Sequence, residues 1–280
     1  MKNVDKLKII LMGLIIGILC GMFSAGGGLI AIPFFTSVMN FDEKKARTNT
    51  IFIILPMVVA SAIVYRKFNL IDWKLGIKCG IGGAIGGFIG SKMLQKVNNK
   101  VLTVIFIAFL IFTGVRLLIQ KWNANYKGRF EVELISGLVA GIFTGIGMGG
   151  GAILVMILTT FLKIDQKLAQ ASNLIFFIPT SIVAIIFNLK NKNIEIKKDA
   201  SIIVFGVVGS IIGSLISAKL NTLILGKIFG AFLLAMAVYY IIIMIKAKKW
   251  DYLFCILLKK LEIINIDYMN KLIIKKEVRR

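Results

Sequence analysis

Eight apolar runs, most of them near the length of a bilayer-crossing helix, alternate along this chain with short lysine-rich stretches. A hydrocarbon core takes roughly 20 helical residues to cross, so runs of this length read as membrane spans. Coarse limits are 9–39, 49–64, 75–90, 101–119, 134–161, 168–187, 200–218 and 223–245. Helices are expected throughout, because a lone strand leaves its backbone unpaired in lipid and the two-residue alternation of a barrel is absent. The expected fold class is therefore an all-α integral membrane protein. Composition agrees: of 280 residues, 58% are apolar and 17% charged, against about a quarter charged in soluble domains. The first run is too long for the core of a signal peptide and is read as retained.

Lys and Arg number 35 against 13 Asp and Glu, a formal charge of +22. No basic domain stands outside the apolar runs except the tail, so the excess reads as interfacial anchoring and not as a nucleic-acid surface. Lys78 and Arg116, near segment ends, are expected to snorkel. Basic loops place both termini on the cytoplasmic side. Residues 246–280 carry ten Lys and Arg with apolar residues near helical period, which suits a basic amphipathic helix on the membrane face or a contact with a second subunit. No Asp or Glu falls in the central part of any segment and the chain has no His. A cation pump or proton relay usually needs such groups, so an anion or a neutral solute fits better. Cys20, Cys79 and Cys255 have no metal spacing and read as small packing residues. With no nucleophile–base set, neither an enzyme nor a cofactor is expected.

Self-similarity is the most informative feature. Offset by 123 residues without a gap, positions 26–119 match 28 of 94 pairs identically. Gly26-Gly27-Gly28 falls on Gly149-Gly150-Gly151, Asp42 on Asp165, Ala46 on Ala169 and Pro56 on Pro179. Gly83, Gly86 and Gly90 fall on Gly206, Gly209 and Gly213. The chain thus reads as a basic N-terminus (1–8), a first four-segment repeat (9–122), a second (132–245) and the tail (246–280). Two similar units about a pseudo-axis enclose a site between them, and rocking one against the other exposes it to each side in turn. If the first run spans, the halves are parallel; if it folds back at its glycines, they are inverted. Loop charges do not decide between these.

Three consecutive glycines weaken a helix by roughly 1 kcal/mol each, and irregular backbone in lipid survives only where protein or a cavity surrounds it. A broken helix is therefore expected at each triplet, with backbone N–H groups at the start of the second piece offered to a solute. Ser24, Gly26, Gly27 and Gly28 form the first candidate site, and Thr144, Gly147, Gly149, Gly150 and Gly151 the second. Asn49 and Thr50, matched by Ser172 and Asn173, either line the same polar site or sit at the membrane interface. Pro56 and Pro179 remove a hydrogen bond within their segments. Asp42 and Asp165 are expected to cap the helices that follow. The glycines at 83–90 and 206–213 read as close helix packing. Arg47 opens the second segment, where an anchor or an anion contact would suit it.

The paired glycine breaks, the Ala-plus-polar opening of the next segment (Ala169, Ser172-Asn173) and the Gly-rich third segments resemble the TauE/SafE family, the sulfite exporters, over about residues 10–246. The first copy departs from the pattern with Ser24-Ala25. The resemblance implies a carrier of the bacterial plasma membrane that moves small sulfur-containing or organic anions, often outward. Its partners would be a small anionic solute and the lipid bilayer. An anion channel and a non-transporting assembly partner are the alternatives.

Overall fold

The structure is a computed structural model that describes residues 6–24, 26–94, 99–119, 128–147, 149–190 and 196–246. The tail beyond Lys246, with Cys255, falls outside the described residues. Every regular element among them is helical: α1 (Lys6–Phe23), α2 (Gly26–Ser37), α3 (Glu43–Lys67), α4 (Trp73–Leu94), α5 (Asn99–Ile119), α6 (Phe130–Gly145), α7 (Gly150–Met156, running on as a π-helical turn Ile157–Phe161), α8 (Gln166–Lys190), α9 (Ile196–Lys219) and α10 (Thr222–Lys246). The chain up to Met236 forms one unit. From Ala237, α10 belongs to a second, where the Tyr239 and Tyr240 rings meet edge to face at 6.1 Å.

Short polar residues set the helix limits. Asp42 accepts a hydrogen bond from the Lys45 backbone N–H at 3.4 Å, and Asp165 accepts from Lys167 N–H at 2.9 Å. Asp72 does the same for α4 through Leu75 N–H at 3.0 Å. Each satisfies a donor that the first helical turn leaves unpaired. Asn40 (φ 56°) and Lys163 (φ 54°), 123 residues apart, take the left-handed conformation just before the Asp42 and Asp165 caps. The expected capping roles thus hold.

Packing gives the helix directions. Gly13, Gly17 and Gly21 of α1 lie against Ile202, Gly206 and Ser210 of α9, so these two helices run parallel. Gly137, Gly141 and Gly145 of α6 lie against Cys79, Gly83 and Gly87 of α4, again in parallel. A Cβ at Gly17 or at Gly137 would overlap the facing carbonyl, so small residues every fourth position let the backbones touch. Gly83, Gly86, Gly90, Gly206, Gly209 and Gly213 all sit in such contacts. α3 follows α9: Met57 reaches Gly206, and the Tyr65 hydroxyl donates to Ser217 Oγ at 2.7 Å. α8 follows α4, with Gly76 on Ile175 and Gly80 on Pro179. α3 and α8 oppose each other, because Thr48 at the start of α3 meets Asn188 near the end of α8 (3.4 Å) while Ile54 and Phe177, further along each, line one cavity.

The distribution of polarity is inverted relative to a soluble domain. Ile63, Ile186, Val204 and Phe112 are more than half exposed, whereas Thr48, Asn49, Ser61, Gln166, Gln170 and Asn173 are buried. Exposed apolar area on that scale needs lipid or protein against it. Four helices among the described residues are long and apolar enough to cross a bilayer: Glu43–Lys67, Gln166–Asn188, Ala200–Lys219 and Thr222–Ile245. Leu7–Phe23, Gly27–Ser37, Thr103–Ile119 and Gly150–Phe161 are apolar but shorter. The two longest sequence runs, 9–39 and 134–161, are each divided into two helices. α4, expected as a span, is diluted by its glycines and lysines.

Lys78 does not simply snorkel. Its Nζ lies 2.7 Å from Glu133 Oε2, tying α4 to α6, with the carboxylate side chain only 4% exposed. Removing one partner of a buried pair strands the other, although Lys78, at 31% exposure, retains some solvent. Glu133→Gln should therefore destabilise the protein by about 1–2 kcal/mol, read as a melting midpoint a few degrees lower in detergent, with Lys78→Met/Glu133→Leu recovering most of it.

Candidate functional site

Two helical hairpins build the site. α2 does not continue α1: a Cβ at Gly27 would lie 2.8 Å from the Ile16 carbonyl oxygen and 2.9 Å from Cys20 Cβ, so the chain has doubled back on itself. A continuous helix would carry Gly27 some 16 Å beyond Ile16. α7 doubles back on α6 in the same way, and a Cβ at Gly150 would overlap the Ala140 carbonyl and Thr144. The middle glycine of each triplet is therefore required by backbone contact inside its own hairpin.

The turns lie just before the triplets. Ser24 (φ 55°) and Gly147 (φ 76°), 123 residues apart, are both left-handed, and Gly149 (φ 68°) precedes the first residue of α7. Ala25 and Met148 lie outside the described residues. The first N–H groups of α7 have no carbonyl one turn earlier to bond to; the first such bond, from Ala152 N–H to the Gly149 carbonyl, measures 2.8 Å.

Each turn faces a helix from the other copy of the repeat. Asn173 Nδ2 of α8 donates to Ser24 Oγ at 2.9 Å. Gly147 abuts Arg47 of α3, whose Cβ would stand 2.5 Å from a Cβ placed there. The departure of the first copy from the glycine pattern thus has a physical reason: Ser24 keeps a hydroxyl for Asn173, whereas a side chain at position 147 would strike Arg47. A non-glycine residue at φ 55° costs roughly 1 kcal/mol, which the buried hydrogen bond offsets.

Between the turns lies a cavity of about 20 Å³, room for about one water molecule. Ser24, Gly28, Thr50, Thr144, Gly147, Gly149, Gly150 and Gly151 line it, with Ile51, Ile54 and Phe177. Thr50 Oγ1 is buried and has no hydrogen-bond partner, and so is Asn173 Oδ1. Other expected site residues are placed differently. Gly27 packs inside its hairpin, and Asn49 Nδ2 donates to the Lys45 carbonyl of its own helix at 2.7 Å. Pro179 packs on Gly80, Pro56 is half-buried within α3, and Ser172 is buried with an unpartnered Oγ. The apolar wall (Ile51, Ile54, Phe177) and the burial of Arg47, only 5% exposed, carry no mark in the sequence that separates them from ordinary core or anchor residues.

The sulfite exporter TauE/SafE family model matches residues 2–117 and 133–262. The chain belongs to the TauE/SafE family. It is a multi-pass membrane protein of a transporter family, and the cavity lies within the matched region. Over 161 residues the TauE/SafE chain is 25% identical to a protein of Methanocaldococcus jannaschii described as a probable membrane transporter protein. That match covers 54% of this chain and 60% of the relative, so less than two thirds of the relative's length is spanned.

Proposed function

We propose that this TauE/SafE protein is a secondary carrier, an exporter of a small anion such as sulfite or a sulfonate, working by alternating access. We read it as two inverted halves, each a broken hairpin followed by three helices, with both termini on the cytoplasmic side of the plasma membrane. The observation that carries the reading is that both hairpin turns and Thr50 of α3 wall one cavity, with Asn173 of α8 hydrogen-bonded to the Ser24 that lines it. Irregular backbone at membrane depth is tolerated where it is buried in protein or lines a cavity, and broken elements at matching places in two repeats are where transporters hold their solute. The donors converging here are backbone N–H groups, Ser24 and Thr50, with the Arg47 backbone and Cβ packed against Gly147, and no carboxylate lines the cavity. Such a set favours negative charge. A cavity this small is a closed form; an anion enters when the halves part.

The test is reconstitution of the full chain in liposomes with a panel of sulfite, sulfonates and carboxylates. Saturable flux without current supports the carrier. Channel-sized currents would make it a pore, and no flux of any anion would sink the reading.

A further inference from the structure

Two buried amide side chains stand outside the cavity lining with both of their ends outside every hydrogen bond. Gln166 and Gln170 of α8 are both fully buried, and neither amide oxygen nor nitrogen of either residue has a partner. A buried primary amide without partners is costly and is normally satisfied by protein or by water, so two of them one helical turn apart call for a polar occupant.

Their position says where it would go. At 100° per residue, Gln166, Gln170, Asn173 and Phe177 form one stripe along α8. Its far end is the cavity: Phe177 lines it, and Asn173 holds Ser24, which also lines it. The matching stripe on α3 is Glu43, Arg47, Thr50 and Ile54, and there too the last two line the cavity. The two stripes differ in charge only at their outer ends, where one carries an acid and a guanidinium and the other two neutral amides.

We propose that Gln166 and Gln170 line a solute passage that joins the cavity to the start of α8, hydrated when open, and that their amide N–H groups hand an oxyanion along it. This rests on the anion-carrier reading and adds the route. A neutral amide pair binds an oxyanion weakly, as a passage requires, because a full charge at that depth would hold it. With α3 and α8 opposed, the charged stripe leads from the same cavity towards the other face.

Two measurements decide it. Gln170→Cys and Ala171→Cys place a thiol at positions that are both fully buried here and point about 100° apart around α8, the second of them off the stripe. In the membrane-embedded full chain, a bilayer-impermeant thiosulfonate reagent that carries its own sulfonate should modify Gln170→Cys at least ten times faster than Ala171→Cys. Equal rates would overturn the passage. The double variant Gln166→Leu/Gln170→Leu removes four unpaired atoms, so it should melt no lower than wild type while its flux falls at least tenfold. Wild-type flux in that variant would overturn the proposal as well. Wild-type protein that moves no anion would count against the carrier reading alone, since the labelling contrast is read without transport.

Discussion

Gly150→Leu should bring anion flux to background and cut the yield of folded protein, whereas Gly28→Ala should leave the fold intact. The difference lies in what each glycine faces. At Gly150 even a methyl group would overlap the Ala140 carbonyl and Thr144, and backbone on the far side of a hairpin has nowhere to move. Overpacking in a well-packed interior costs about 1–3 kcal/mol where side chains can adjust, and the cost is larger where backbone is struck. α7 would be pushed off α6 and the cavity lost with it. A Cβ at Gly28 would instead stand 3.4 Å from Ile54 Cδ1 and 3.7 Å from Thr50 Cγ2, ordinary contact at the cavity wall. Gly28→Ala should therefore keep its melting midpoint within a few degrees and slow flux by roughly tenfold, through a narrowed site. Size-exclusion profiles and flux in liposomes check both. A stable, active Gly150→Leu protein would show that the hairpin does not close as described.

Arg47→Gln should raise the half-saturating anion concentration by about ten- to a hundredfold, with a smaller effect on maximal flux. Arg47 is 5% exposed and lies against the second turn. Its replacement by the residue that stands at the matching position, Gln170, removes a charge without removing hydrogen-bonding capacity. A tenfold change corresponds to about 1.4 kcal/mol and a hundredfold change to about 2.7, in the range of hydrogen bonds to charged groups. Arg47→Lys should recover part of the affinity, because an ammonium keeps the charge but not the planar fork. Concentration dependence of flux separates this from misfolding, which lowers maximal flux at constant affinity. An unchanged affinity in Arg47→Gln would place the residue outside solute binding.

Much of this was legible in the sequence because it rests on periodic or paired signals. The repeat offset of 123 residues aligned the two sets of breaks, and Ser24 and Gly147 indeed share a left-handed backbone. Asp42 and Asp165 were readable as caps, since a short acid before a helix has few other uses. The glycines of α4 and α9 were readable as packing. What could not be read is which surface each glycine meets. Gly27 and Gly28 are neighbours of one type, yet the first is pressed on α1 and the second borders the cavity, because successive helical residues point 100° apart. Lys78 looked like an interfacial lysine, since its partner Glu133 is 55 residues away and on another helix. Nothing in the sequence sets Gln166 and Gln170 apart from the exposed polar first turn of a helix; only their burial without partners does.

The most direct test of the central claim, that the cavity between the two hairpin turns holds a small anion, is a melting titration of the full-length protein in detergent with sulfite and with an alkyl sulfonate, for wild type and Thr50→Val. A ligand that binds only folded protein stabilises it by about 2.7 kcal/mol at a hundred times its dissociation constant. The wild-type midpoint should therefore climb with the logarithm of anion concentration. In Thr50→Val, which loses the unpartnered hydroxyl at the cavity wall, the same climb should begin only at about tenfold higher concentration. A wild-type midpoint that no anion moves, or identical curves for the two proteins, would contradict it.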